Sequence, residues 1–205
     1  MSVLKIISTL LIFGALTVLG AIFWPVTQAE IEYGYSNALN IKYSLNPEFS
    51  GTYERTLKVP NKDFSIAIPK IAVAAPIIAD VDPQNKYEYL RALKQGVAQA
   101  KETAVPGETG NVYLFAHSED TFYNVNTYNA PFFLLGKLTR GDEIYVFYKD
   151  RKFKYVVDQV KVVSPEEVNY LTVNPDRNTL TLQTDYPPGM TFARRIVIAD
   201  EIGIE

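Results

Sequence analysis

The stretch TLTLQTDYPP, residues 179–188, shows most directly which fold class this chain adopts. Polar and apolar residues alternate from Thr179 to Thr184, which is the pattern of a β-strand with one face buried. The strand delivers Asp185 at its end, directly before a Pro-Pro-Gly turn. Because the end of a strand lies at the rim of its sheet, where ligands have access, Asp185 is a candidate functional residue.

Short runs of the same kind recur along the chain and are separated by Pro and Gly. The expected strands are Phe64–Ile68, Ala75–Ala79, Asn111–Ala116, Glu143–Tyr148, Lys152–Val163, Thr179–Thr184 and Arg195–Asp200. A succession of short strands with few helices indicates a mainly β protein built as a small closed β-barrel. Asp150 and Arg151, which separate two of these runs, are expected to form a hairpin turn.

Short helices are expected beside the strands. From Tyr87 to about Gln95, apolar residues recur at helical spacing ahead of Gly96. A further helix would begin at Ser164, because serine caps helix N-termini well and Pro165 suits the first helical position.

The N-terminal segment from Ile6 to Trp24 carries no charged residue. Its length is close to the roughly twenty residues that a membrane-spanning helix needs. Lys5 precedes the segment and Glu30 is the first charge after it, so the positive-inside rule places the N-terminus in the cytoplasm and the rest of the chain outside. The alternative is a cleaved signal peptide, with residues 27–29 as the cleavage site.

These patterns divide the chain into an anchor, a lead-in and one folded domain. The expected division is a transmembrane anchor at residues 1–25, a stalk at 26–62 and a β-barrel domain at 63–205. The predicted location is the cell membrane, with a single pass and an extracellular barrel.

The composition excludes several classes of site. The 205 residues include no Cys, which excludes disulfides, thiolate metal ligands and thiol nucleophiles. A net charge of -3 without a basic patch argues against a nucleic-acid partner. Glu119 and Asp120 fit a solvated loop better than a cation site, so neither a metal nor another cofactor is expected.

Two further segments carry candidate site residues. His117 is the only histidine, and it directly follows the apolar run from Val112 to Ala116. Histidine is the side chain that most often exchanges protons in catalysis. Arg194 and Arg195 precede another apolar run, which places two guanidinium groups at the start of a strand.

Together these segments resemble the sortase family, the membrane-anchored cysteine transpeptidases of bacterial cell surfaces. Residues 110–118, GNVYLFAHS, resemble the stretch in which that family's histidine follows an apolar strand, and residues 181–185, TLQTD, resemble its T-L-x-T-C strand. Arg195 matches the family's arginine best, and Arg194 is the second candidate. The resemblance covers about residues 64–200. It implies a sortase-like barrel and a sorting-signal peptide as partner.

The resemblance also implies roles for these residues. In the family, the cysteine attacks the Thr–Gly amide of a sorting signal, and an amine resolves the thioacyl enzyme. His117 would exchange protons with the thiol and the leaving amine, and Arg195 would steady the developing charge or position the substrate. Thr184 and Arg194 would contact the peptide.

Asp185 departs from this pattern because it occupies the position of the nucleophilic cysteine. A carboxylate that attacked an amide would have to expel an amine and form a mixed anhydride, which is uphill. It would still give His117 and Arg195 a negative partner. The expectation is a sortase-like barrel that is inactive as given and still binds sorting signals. The alternatives are a working transpeptidase whose parent has Cys at 185, and an interaction module without a peptide groove.

Overall fold

A computed structural model of the chain describes residues 3–45, 53–116, 131–171, 177–188 and 190–204. The candidate site residues His117, Ser118, Glu119 and Asp120 lie outside the described residues.

A long helix, α1, occupies the N-terminus from Val3 to Ala38. It contains the apolar segment predicted to be an anchor and continues through the expected boundary at residue 25. Across the described parts of the chain, no helix combines the length and the apolar character needed to cross a membrane. The transmembrane role of residues 1–25 therefore stays a prediction.

The lead-in that follows α1 contains two short strands. Strands β1 (Lys42–Ser44) and β2 (Glu54–Thr56) pair in parallel and form a sheet of their own. The end of α1 reaches the domain beyond them, because Tyr33 packs against its buried core.

The remaining strands close into one barrel, as the sequence predicted. They are β3 (Phe64–Ile68), β4 (Val73–Val81), β5 (Val97–Ala100), β6 (Asn111–Phe115), β7 (Glu143–Tyr148), β8 (Arg151–Val163), β9 (Thr179–Tyr186) and β10 (Ala193–Ile204). The strand order is β10-β8-β7-β3-β4-β5-β6-β9, and β9 pairs with β10 to close the barrel. This closure puts Asp185 beside the first residues of β10.

The core follows from the alternation in the strands. Side chains at every second position point inward, so Leu180 and Leu182 of β9 meet residues such as Ile66, Leu114 and Phe153, all of which are fully buried. Burying each such side chain contributes about 1.5–3 kcal/mol to folding. The outward positions of β9 carry the polar residues Thr179, Thr181, Gln183 and Asp185.

Helix α2 (Lys86–Leu93) confirms the predicted helix after Tyr87. The side chain of Asn85 caps it by accepting a hydrogen bond from the backbone N–H of Glu88 at 3.3 Å. The helix connects β4 to β5, which run parallel. Strand β5 was not among the expected strands because its sequence, VAQA, is too short to show an alternating pattern.

The predicted β7–β8 hairpin is confirmed, but its turn residues and the helix expected at Ser164 were wrong. The β7–β8 turn is formed by Lys149 and Asp150, with φ of 50° and 61°, and Arg151 already belongs to β8. Positive φ at both turn residues suits the right-handed twist of the flanking strands. Ser164 begins a turn rather than a helix, because its carbonyl accepts the N–H of Glu167 at 3.1 Å and only a short 3-10 helix follows at Asn169–Leu171.

Candidate functional site

The antiparallel pairing of β9 with β10 brings Asp185 and Arg194 directly opposite each other. Arg194 Nη1 lies 2.9 Å from Asp185 Oδ1, and about a quarter of each side chain is exposed. A hydrogen bond between two charged groups in a partly buried setting is stronger than one between neutral groups. The carboxylate is therefore held by a guanidinium group at the end of the strand.

Polar side chains line the same face of β9 behind this pair. The hydroxyls of Thr179 and Thr181 both donate to Asn111 Oδ1, at 3.1 and 2.9 Å. Two positions further on, Tyr113 donates its hydroxyl hydrogen to Gln183 Oε1. Because Asn111 and Tyr113 belong to the parallel neighbour β6, these bonds fix β6 and β9 to each other just behind the site.

Tyr113 lies within electrostatic reach of the ion pair. Burial raises the pKa of Tyr113 well above its usual value, and the positive charge of Arg194 partly opposes that rise. The hydroxyl is therefore a neutral hydrogen-bond donor at physiological pH. Sequence reasoning missed both Tyr113 and Gln183, although Gln183 occupies a polar position of the alternation that was recognised.

Arg195 lies on the opposite face of the sheet from Asp185, since successive residues of a strand point to opposite sides. Its guanidinium carbon is 4.3 Å from the ring centroid of Tyr186. Of the two arginines considered, the structure thus brings Arg194 to the carboxylate and places Arg195 against an aromatic ring.

Thr184 shares the face of Arg195, and the two residues are cross-strand partners. Only 4% of Thr184 is exposed, and its Oγ1 has no hydrogen-bond partner within the described ranges. A buried hydroxyl without a partner costs folding free energy. Thr184 was a predicted substrate contact, and this role stays a prediction.

The chain leading to His117 runs beside the site. Ala116, the last described residue before His117, donates its backbone N–H to the carbonyl oxygen of Gln183 at 3.1 Å. Gln183 is two positions from Asp185 on the same strand, so Ala116 lies near the end of β9 that carries the ion pair. The contact predicted between His117 and Asp185 lies outside the described residues.

Chemically, the described part of the site offers charge and hydrogen bonds. Arg194 Nη1 faces Asp185 and also donates to the carbonyl oxygen of Ala193 at 3.3 Å, and the guanidinium group carries five N–H donors in all. Such donors suit the carbonyl oxygens of a peptide. The carboxylate is a far weaker nucleophile toward an amide than a thiolate.

Comparison with known proteins agrees with this fold. A family model described as Sortase domain matches residues 66–202. Sortase D of Bacillus subtilis (strain 168) is 26% identical over 150 residues, covering 68% of this chain and 67% of that protein. The chain spans between about half and two thirds of the length of the curated relatives it matches.

Solved structures give the same result. A Clostridium perfringens Sortase D5 transpeptidase is 28% identical, with a TM-score of 0.56, covering 72% of this chain and 82% of that one. The pilus-related Sortase C of Group B Streptococcus is 26% identical, with a TM-score of 0.59, covering 90% and 91%. Since the family model also covers more than half of the sequence, this chain belongs to the sortase family.

Proposed function

We propose that this chain is a cell-surface member of the sortase family that lacks transpeptidase activity and still binds sorting-signal peptides. The observation that carries the proposal is the salt bridge between Asp185 and Arg194 at the end of β9. A carboxylate stands where the family's cysteine is expected from the T-L-x-T-C resemblance, and it is already engaged by a cation.

The loss of activity follows from the chemistry of the carboxylate. In the family reaction, a thiolate attacks the carbonyl carbon of the Thr–Gly amide, the C–N bond breaks and the amine leaves with a proton. Asp185 in place of the thiolate would form an anhydride that is higher in energy than the amide. Its negative charge is also stabilised by Arg194 at 2.9 Å, which lowers its nucleophilicity further.

Retained binding is supported by the intact surroundings of Asp185. The bonds of Tyr113 to Gln183 and of Asn111 to two threonines hold β6 and β9 in register. A site that is fixed in this way needs little reordering when a peptide binds. We assign the contact with the peptide carbonyl to Arg194, because Arg195 faces the other side of the sheet.

The anchor and the domain boundaries form part of the same proposal. Residues 1–25 would cross the membrane, 26–62 would lead into the barrel, and 63–205 would form the extracellular domain. The apolar side chains of Leu10, Leu11, Phe13 and Leu16 are each at least 61% exposed, as lipid-facing residues are. Protease treatment of intact cells should reach residues beyond 25, and the mature protein should keep its N-terminus. A mature chain that begins near Glu30 would instead indicate a cleaved signal peptide.

Peptide binding tests the function itself. The full-length protein in detergent should bind an LPXTG-like peptide in calorimetric titration, and a scrambled peptide should bind at least about tenfold more weakly. Arg194→Gln should reduce the affinity by roughly tenfold, equivalent to about 1.4 kcal/mol. Arg177→Gln is the matched control, because Arg177 pairs with Asp200 at 3.2 Å toward the other end of β10.

The outcome also separates the alternatives. If the LPXTG-like peptide and its scrambled form bind equally, or if neither binds, the result would favour an interaction module that does not use the groove. Transfer of the peptide to an amine by the protein as given would show a working enzyme. A genomic codon for Cys at 185 would show that the parent is an ordinary transpeptidase.

A further inference from the structure

Arg195 is held between two groups on the inner face of the barrel end. One is the ring of Tyr186, 4.3 Å from the guanidinium carbon. The other is the backbone of Gly136 in the 3-10 helix Phe133–Lys137. A Cβ on Gly136 would lie 1.6 Å from Nη1 and 2.6 Å from Cζ of Arg195, so only glycine leaves room for this contact.

The same 3-10 helix is attached to the N-terminal helix α1. Lys137, the residue after Gly136, forms a salt bridge with Glu30 in which Nζ and Oε2 are 3.0 Å apart. Its ammonium group also lies 5.4 Å from the ring centroid of Tyr33, one turn further along α1. Leu135, on the other side of Gly136, is fully buried. The 3-10 helix is thus fixed to the core and to α1 at once.

The contact between Arg195 and Tyr186 lies on the face of the β9–β10 pair opposite Asp185 and Arg194. Tyr186 follows Asp185 in β9, and Arg195 follows Arg194 in β10. The Tyr186–Arg195 contact and the Asp185–Arg194 salt bridge therefore lie back to back on the two faces of the same strand pair. Both contacts are thus carried by the same short stretch of paired backbone, residues 185–186 of β9 and 194–195 of β10.

We infer that Gly136 and the docked end of α1 act as a positioning device, which holds Arg195 on Tyr186 and thereby sets the geometry of Arg194 at residue 185. The inference rests on the proposed function only where it concerns the chemistry at 185. Arg195 is in this account a positioning residue and Arg194 the group that faces the ligand.

The test uses single substitutions in the full-length chain with matched controls. Gly136→Ala should push the guanidinium of Arg195 off Tyr186 at little cost in stability, because the atoms it meets are the far end of a flexible side chain. Gly203→Ala is its control, since nothing lies within 4 Å of a Cβ there. Glu30→Gln removes the salt bridge to Lys137, and Glu32→Gln is its control because Glu32 pairs with Arg55.

The first measurement is the NMR signal of the Arg195 Nε–Hε group, which the nearby Tyr186 ring shifts in the parent protein. Gly136→Ala and Glu30→Gln should move this signal toward its free-arginine position, and the two controls should leave it in place. An unchanged signal in Gly136→Ala would overturn the contact with the 3-10 helix. An unchanged signal in Glu30→Gln would overturn the link to α1.

The second measurement is the pH profile of thiol alkylation in the Asp185→Cys background. If Arg194 is held in place, its charge keeps the thiol pKa low. Adding Gly136→Ala should raise that pKa, and each unit of increase reduces the thiolate roughly tenfold at pH below the pKa. An unchanged profile with a moved Arg195 signal would overturn the effect on residue 185. Failure of Asp185→Cys to react with any peptide, with both expected shifts present, would count against the proposed function alone.

Discussion

Asp185 and Arg194 face each other across β9 and β10, with a carboxylate oxygen and a guanidinium nitrogen 2.9 Å apart. The pair puts a negative charge at the end of β9 and gives it a cation on the same sheet face. Its consequences for stability and for chemistry are separable by experiment.

The salt bridge itself should make a measurable contribution to stability. In a double-mutant cycle with Asp185→Asn and Arg194→Gln, we expect a coupling free energy of about 1 kcal/mol in denaturant unfolding, since both side chains are largely buried. The cycle isolates the pair from other contacts of each residue. The Arg177–Asp200 pair, whose arginine is 63% exposed, should show a coupling of about 0.5 kcal/mol or less. Equal couplings in the two cycles would contradict the ranking by burial.

Two threonines of β9 should respond in opposite ways to the same substitution. Thr184→Val removes a buried hydroxyl that has no hydrogen-bond partner among the described residues, so the free energy of unfolding should stay unchanged or rise by about 0.5–1 kcal/mol. Thr181→Val removes the hydrogen bond to Asn111 Oδ1 at 2.9 Å and leaves that buried oxygen with one donor fewer. The free energy of unfolding of this variant should therefore fall by about 1–2 kcal/mol.

If Thr184→Val destabilises the protein as much as Thr181→Val does, the Thr184 hydroxyl is satisfied in the folded state. Lower peptide affinity of Thr184→Val with unchanged stability would put the peptide on the face that Thr184 shares with Arg195, and would contradict its assignment to Arg194.

The fold was predictable where polar and apolar residues recur at a regular spacing along the sequence. The alternation in β9 and the apolar run of β6 located the site strands, and the closed barrel followed from the number of short strands. Strands β1, β2 and β5 were not predicted, because strands of three or four residues are too short to show an alternation of polar and apolar residues. Their pairing depends on contacts between distant segments.

The candidate site was only partly predictable for a related reason. The motif placed Asp185 at the end of a strand, but the choice between Arg194 and Arg195 depends on cross-strand register, since a shift of one residue moves a side chain to the other face. Sequence matching favoured Arg195, whereas the register puts Arg194 opposite the carboxylate. The close approach of the Arg195 guanidinium group to Gly136 joins distant parts of the sequence, and no local pattern encodes it.

A surface triad on β7 and β8, formed by Glu143, Tyr145 and Lys154, should make the free energy of unfolding depend on pH in the acidic range. Lys154 Nζ lies 2.6 Å from Glu143 Oε1, and its hydrogen bond, with a further one from Tyr145, lowers the pKa of Glu143. Because the folded pKa is below the unfolded value, the carboxylate contributes stability above the unfolded value of about 4.3, and this is lost as pH falls through the folded pKa.

The expected effect is small, about 0.5 kcal/mol or less, because nearly half of the Glu143 side chain is exposed to solvent. Unfolding free energies measured between about pH 3 and pH 6 should show a shallower decline in Glu143→Gln than in the parent protein. Lys154→Met should flatten the profile in the same way. Identical profiles in all three proteins would show that the hydrogen bond adds nothing in solution.

The central claim is that Asp185 removes the nucleophile from a site that is otherwise assembled. The most direct measurement is the intact mass of the full-length protein after incubation with an LPXTG-like peptide. We predict that the protein as given shows neither an adduct nor peptide transfer. Asp185→Cys should gain the mass of the peptide up to its threonine, as a thioester, and His117→Ala on that background should abolish the gain. Transfer of the peptide to an amine by the protein that carries Asp185 would contradict the account.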